Sequence, residues 1–322
     1  MASPNRLLRT SERSTFAGCR HRWFWSYEER LRPRKTASVM RFGTMAHRVL
    51  ELRYPPGRKR GPASPLLWEQ VWEEEEAASE DLGLWDEDGK VQDMAELGSV
   101  LFAAYDAHYG EDDEWEVLSA EQRFRVRIAP KLYVVGTIDG VWRHRPTKRL
   151  VFAEHKTSSE IWTNHLGLDE QASTYWTFGP EWLRKRRIIR KDDELSYVLY
   201  NFIRRAKPDD RPRNELGQAL NQNGSVSMKQ QAPLFARHPV YREEVSARNL
   251  RIRVLEQAKE MQMIRDGSLV PIKSPGRFNC PMCPFKDPCE QHEVGADYQL
   301  LLDTAFEEHD PYSTYELARE GK

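Results

Sequence analysis

The sequence contains no apolar run approaching the ~18 residues that a membrane-spanning helix needs, so no span is expected. Its first residues, MASPNRLLRT, lack the apolar core of a secretory leader, which points to a cytoplasmic protein. Cysteine is scarce: four in 322 residues, too few for a disulfide scaffold. Net charge is nearly absent, at −1. That neutrality does not exclude a polyanion as partner, because the charge is unevenly placed. Residues 1–60 carry 15 lysines and arginines against 4 acids, while residues 61–120 carry 1 against 18. A basic stretch is therefore available to attract phosphates. Two solvated faces that complement each other would read the same way. With 39% hydrophobic and 31% charged residues, the chain has the composition of a soluble protein with a core.

The periodicities give a coarse order. A helix is expected over Ser14–Arg30, capped by Ser14, with Phe16, Cys19 or Arg20, Trp23 and Tyr27 at helical spacing. A second is expected over Gly43–Tyr54, capped by Thr44 and carrying His47 among Ala46, Val49 and Leu50. Alone, that histidine reads as a core residue. Residues 58–110 read as an acidic helical insertion, with helices over Leu66–Leu82 and Asp93–Tyr109 and the solvated run Glu73–Glu76. Strands follow at Trp115–Ile128, Tyr133–Trp142 and Leu150–Ala153, then a helix over Asn164–Phe178 and an apolar strand over Leu195–Arg205. Residues 207–235 read as a flexible loop, Val240–Val245 as a strand, and Asn249–Arg265 as a helix ended by Gly267. The expected fold class is α/β (α+β layers), a mixed central sheet flanked by helices. The chain is expected to be one domain over 1–322, with 111–206 as its catalytic core.

Chemistry concentrates in Gly136–Lys156. Two strands joined by a short connection are expected there; Asp139 interrupts the first, and Glu154 and Lys156 end the second. Residues two apart in a strand share a face, so Glu154 and Lys156 point the same way. If the strands pair, Asp139 joins them, and two carboxylates and a lysine converge where a divalent cation and a water could sit. A strand leaving a sheet also often ends in charges, so the trio is weak alone. In the next helix Gln171 and Tyr175 stand one turn apart.

The cysteines add a second signal. Cys280, Cys283 and Cys289 form C-x2-C-x5-C among Pro281, Pro284 and Pro288, and Cys19 is the only other. Such a knuckle suits a metal better than a core, and residues 268–292 with Cys19 form the expected metal region. Zinc and [4Fe–4S] both accept four thiolates, and the spacing alone does not choose between them.

In order, Cys19, His47, Gly136-x-x-Asp139, Glu154-x-Lys156, Gln171-x-x-x-Tyr175 and the three late cysteines resemble the PD-(D/E)XK superfamily. The likeness is to its RecB-like iron–sulfur exonucleases, among them the AddB nuclease domain, CRISPR-adaptation exonucleases and many bacteriophage exonucleases. It spans about Ser11 to Glu290. Arg20 follows Cys19 where relatives often have proline, and 58–110 and 207–231 carry no recognised motif. The resemblance implies a restriction-endonuclease-like core and tips the cysteine metal towards [4Fe–4S], stapling the N-terminal helix to the tail. It implies that His47, Asp139, Glu154 and the backbone carbonyl of His155 ligate Mg²⁺ or Mn²⁺. Lys156 would activate or orient water with a depressed pKa, and Gln171 and Tyr175 would position the lysine or the DNA. The implied activity is metal-dependent exonucleolysis of single-stranded DNA or DNA ends, 5′→3′, in a bacterial or phage-infected cell, with basic residues 20–60 and 182–191 along the DNA. A silent DNA-end capping module of a recombination or CRISPR adaptation complex, and an endonuclease on the same fold, are the alternatives. A helicase or recombination partner and a homo-oligomer stay open, and no membrane is expected.

Overall fold

The computed structural model describes residues 6–34, 38–80 and 90–316. The chain enters as a short strand, β1 (Arg6–Leu8), and a helix, α1 (Thr10–Gly18). The helix expected over Ser14–Arg30 is broken at Cys19, whose backbone is extended (φ −163°, ψ 118°). Its Sγ accepts a hydrogen bond from the Arg22 N–H at 3.5 Å and so caps a new turn, α2 (Arg20–Trp23), which passes into a π-helical turn over Phe24–Glu28. After β2 (Leu31–Pro33) comes α3 (Ser38–Arg53), which begins five residues before Gly43. Gly43 is not a start signal but a packing site: a Cβ there would lie 3.3 Å from Thr157 Oγ1.

Two long helices, α4 (Ser64–Glu80) and α5 (Lys90–Tyr109), pack on α3. Residues 81 and 82, at the end of the expected first acidic helix, lie outside the described residues. The three strands of the meander are β3 (Trp115–Ala129), β4 (Leu132–His144) and β5 (Leu150–Ser158), paired antiparallel in sequence. The next helix, α6 (Glu170–Lys185), starts later than Asn164 because Asp169 caps it, accepting from Ala172 N at 2.7 Å. It is followed by β6 (Leu195–Arg204), parallel to β5, and β7 (Phe235–Val240), antiparallel to β6. The strand expected over Val240–Val245 thus ends where it was expected to begin, and α7 (Glu244–Arg265) takes over. Between β6 and β7, residues 205–234 form successive turns tied by bridges Arg213↔Ala219 and Leu220↔Val226. The tail adds α8 (Lys286–Glu293), α9 (Gln299–Ala305), β8 (Phe306–Glu308), which pairs with β2, and α10 (Ser313–Glu316).

The sheet has six strands and is mixed, as expected for the α/β class. Its topology creates an opening. β3 covers one edge of β4; the other edge is divided between two strands. β1 takes Leu132–Val134 in parallel, and β5 takes Gly140–Arg143 antiparallel. Residues 135–139 of that edge fall between the two ladders. Apolar residues fill both sides of the sheet. Phe16, Trp23, Phe124, Phe152, Phe178 and Val254 lie on one side, and Phe42, Leu50, Trp68, Phe102 and Trp142 on the other. A small third cluster, Trp25, Phe285, Leu302 and Phe306, joins the N-terminal turn to the tail.

The charged stretches partly complement each other. Arg41 faces Glu75 at 3.8 Å, Arg53 faces Asp106 and Glu111 at 3.4 Å, and Arg58 faces Glu116 at 3.5 Å. Much of the basic excess of residues 20–60 is therefore answered within the fold. In residues 182–191, by contrast, Arg184, Arg186, Arg187, Arg190 and Lys191 are exposed.

Candidate active site

The open edge of β4 is where the chemistry-bearing residues meet. Asp139 sits at its end, 6% exposed, and its Oδ2 accepts the backbone N–H of His155 at 2.8 Å. Glu154, one residue earlier on β5, is 1% exposed. Lys156 Nζ donates to Glu154 Oε1 at 2.6 Å and to Gln171 Oε1 at 3.0 Å, and Gln171 Nε2 donates to the Tyr175 hydroxyl at 2.8 Å. One continuous chain therefore runs from Glu154 through Lys156 into α6. Gly136 makes room for it: a Cβ there would lie 2.7 Å from the Phe124 ring and 3.0 Å from that of Tyr175.

From the other side α3 brings His47, whose Nδ1 lies 3.6 Å from Asp139 Oδ2 and 3.7 Å from Glu121 Oε1. Glu121 was not anticipated. It lies in β3, in the step between the pairs Ala120↔Gly140 and Gln122↔Ile138, which places it opposite Asp139. Its φ is +43°, left-handed backbone that a side-chain-bearing residue adopts only under constraint. An acid between the apolar parts of an alternating strand was the one signal available. His47, Glu121 and Asp139 offer ligand atoms within 4.8 Å of one another.

A divalent cation fits these residues. Oxygen donors and one imidazole are suitable ligands, and Glu154 Oε2 is buried with no hydrogen-bond partner. A buried carboxylate oxygen left bare is costly unless something positive meets it. The titration of the site agrees. Burial raises Asp139 to about 6 against the opposing pull of His47. Burial, then the neighbouring Asp139, raise Glu154 to about 7. Burial by itself would lower His47, but Asp139 and Glu121 outweigh it and hold the imidazole up at about 9. Burial would lower Lys156, but with no cation beside it Glu154 more than compensates and the ammonium is raised.

All three ligand groups thus hold protons more tightly when folded. Their contribution to stability is present below their ordinary values and fades as pH rises through about 6, 7 and 9. A cation bound there would replace those protons, so its stabilising effect would grow with pH. Thermal melts in EDTA and in Mn²⁺ should differ little at pH 5.5 and by several degrees at pH 8.5. A Mn²⁺ shift of equal size at both would mean the cation does not compete with protons here.

Behind the site lies a buried polar network. His155 points away from Lys156, and Asn201 Nδ2 donates to its Nδ1 at 3.0 Å and to the Tyr105 hydroxyl at 2.9 Å. Burial, then the nearby His47 and Arg237 cations, keep the His155 ring neutral. Arg237 continues the network, donating to Asn201 Oδ1 at 3.5 Å and to both oxygens of Asp112 at 2.8 and 2.5 Å. The network fixes the strand whose His155 N–H orients Asp139. Asn201→Leu should cost about 2–4 kcal/mol in urea melts, since it strands several buried polar groups at once. A loss under about 0.5 kcal/mol would show that water satisfies them.

The four cysteines are brought together at the far end of α1. Cys19, Cys280, Cys283 and Cys289 line one cavity of about 670 Å³ with His21 and Lys273, and all four are free thiols. Burial raises Cys283 and Cys289, with the neighbouring sulfurs adding to it.

The model of the PD-(D/E)XK nuclease superfamily matches residues 10–290. No curated protein matches the chain. Among solved structures, a crystal structure described as a candidate exonuclease from Eubacterium rectale is similar at 10% identity and a TM-score of 0.47, covering 88% of each chain.

Proposed function

Because this chain belongs to the PD-(D/E)XK nuclease superfamily, and is a nuclease by that membership, we propose that it is a DNA exonuclease acting on single strands or DNA ends. The observation that carries this reading is the bare, buried Glu154 Oε2 beside Asp139 and the Lys156 ammonium, at an open strand edge. His47, Glu121, Asp139 and Glu154 would hold Mg²⁺ or Mn²⁺, and the imidazole favours the softer Mn²⁺. When bound, the cation lowers the pKa of water and offsets charge on the phosphate.

The chain's own residues supply the rest. Lys156, whose Nζ donates to Glu154 at 2.6 Å, would orient the attacking water and balance charge on phosphorus. Gln171 fixes its reach by accepting from Nζ while donating to Tyr175. The backbone carbonyl of His155 would complete the cation's oxygen shell. The exposed arginines of residues 182–191 would follow the DNA backbone. The polarity proposed is 5′→3′.

The cysteine cavity would hold a structural [4Fe–4S] cluster. Four free thiols lining one cavity are the donor set that such a cluster takes.

The test uses anaerobically purified protein, Mn²⁺ and end-labelled single-stranded DNA, with the visible spectrum of the same sample. A brown protein that shortens the strand stepwise and spares a covalently closed circle is the expected result. Cleavage of the circle would make it an endonuclease. DNA binding without cleavage would make it a capping module.

A further inference from the structure

The family match ends at residue 290, yet the chain returns to the active site after it. Beyond α8 the C-terminal arm is fastened at successive points. β8 pairs with β2, and His309 N donates to Arg30 O at 2.7 Å. Arg9 donates to Pro311 O at 2.7 Å, and the Tyr312 hydroxyl donates to Glu12. Glu12 is itself 1% exposed and accepts from Trp23 Nε1 at 3.0 Å, so the anchor is buried in the N-terminal helices. Three residues past it, the Tyr315 hydroxyl comes within 3.5 Å of Thr137 Oγ1. Thr137 belongs to the part of the β4 edge that neither β1 nor β5 covers, two residues before Asp139. Tyr315 is also close enough to Tyr175 to influence its ionisation.

We propose that this arm forms one wall of the DNA cleft, and that Tyr315 and Thr137 are a positioning pair whose hydroxyls hold a phosphodiester next to the scissile one. The proposal rests on the nuclease reading above. Three features support it. At 3.5 Å the two hydroxyls are at the outer limit of a mutual bond, which leaves each free to donate to a third oxygen. Both residues are half-exposed, so the strand can reach them. Both offer hydroxyls rather than ammonium or guanidinium groups, so they would bind phosphate without placing a side-chain cation beside Asp139 and Glu154 to compete with the metal. A hydroxyl pair offers no edge pattern for reading a base, which suits an enzyme that must digest any sequence.

The experiment is steady-state cleavage of labelled single-stranded DNA, with affinities for the same strand measured in a Lys156→Ala background. Tyr315→Phe, which keeps the ring, should raise KM and Kd about 3- to 10-fold, the scale of one hydrogen bond, with kcat within twofold. Thr137→Val should do the same, and the double variant should show both losses, because each hydroxyl donates to the phosphodiester in its own right. A purely structural role would move the melting temperature and not split KM from kcat. If the parent binds and cleaves DNA but Tyr315→Phe leaves KM and Kd unchanged, the proposal fails alone. Faster cleavage by Tyr315→Ala would overturn it by making the arm an obstruction. A parent that neither binds nor cleaves DNA overturns the nuclease reading and this proposal with it.

Discussion

Glu154→Gln should lower DNA cleavage by about a thousandfold or more while the protein melts, in EDTA, at or above the parent temperature. The two halves of this expectation have one cause. Glu154 is a fully buried carboxylate with one oxygen on Lys156 and the other unpartnered. Burial penalises its charge, as its rise to about 7 records. Glutamine has nearly the same shape and no charge, so the folded protein loses a cost and keeps its packing. Function loses twice over. In the proposed reading the cation would lose a ligand, and Lys156 would lose its carboxylate partner at 2.6 Å. Several kcal/mol of charge stabilisation at phosphorus correspond to at least a thousandfold in rate. The measurement is single-turnover cleavage in saturating Mn²⁺ beside a melt in EDTA. Cleavage within tenfold of the parent would remove Glu154 from the machinery. A fall of many degrees in the melt would make it a structural acid instead.

That trade of stability for chemistry is visible around the whole site. Glu121 holds left-handed backbone, His47 is kept protonated among acids, and the β4 edge is left open between two strands. Each is a local cost that packing elsewhere must offset, and each lies where a cation and a phosphate would be met.

What could be read from the sequence follows the range of the forces involved. Alternation marked β3, and continuous apolar runs marked β4, β5 and β6, because those inner strands are buried on both faces. The pairing of Glu154 with Lys156 followed from a period of two, and that of Gln171 with Tyr175 from one helical turn. Other features depend on partners distant in sequence. β1 exists by pairing with Leu132–Val134, and β2 by pairing with β8 near the other end of the chain. Neither has a pattern of its own. Gly43 resembled a helix boundary but is a contact with Thr157 on another element. The break at Cys19 was hidden because apolar spacing runs through it; the sulfur acts as a cap, a role ordinarily taken by oxygen side chains. Glu121 was missed because nothing in a single strand shows which residue opposes Asp139. Lys156 is raised in the cation-free site because Glu154 sits against it, whereas the depression expected from sequence belongs to a lysine beside a bound cation.

If the cysteine cavity holds the proposed cluster, Cys283→Ser should strip that metal and lower the melting temperature by about 10 °C. The cavity joins Cys19 to Cys280, Cys283 and Cys289, so whatever binds there closes a loop of most of the chain. In the loop-entropy account, a cross-link of that span contributes on the order of 5 kcal/mol, and at this chain size each kcal/mol is worth roughly 2 °C. Without it, residues from about 272 to 310 are held by the small cluster of Trp25, Phe285, Leu302 and Phe306 and by the three-residue β2–β8 pairing. Four buried apolar side chains contribute about 1.5–3 kcal/mol each, which falls short of the ~1 kcal/mol or more per residue needed to order some forty residues. The tail should therefore open locally before the sheet melts, which hydrogen exchange would register as lost protection over residues 272–310 with β3–β6 unaffected. DNA affinity should fall as well, because the same tail carries Tyr315 to the open edge of β4. Metal content, exchange and DNA affinity measured on one preparation separate the possibilities. Metal lost with protection intact would show that the apolar cluster suffices. Protection lost with affinity intact would free the arm from any part in the cleft. Loss of all three would make the cysteine centre the clasp that keeps the C-terminal arm against the active site.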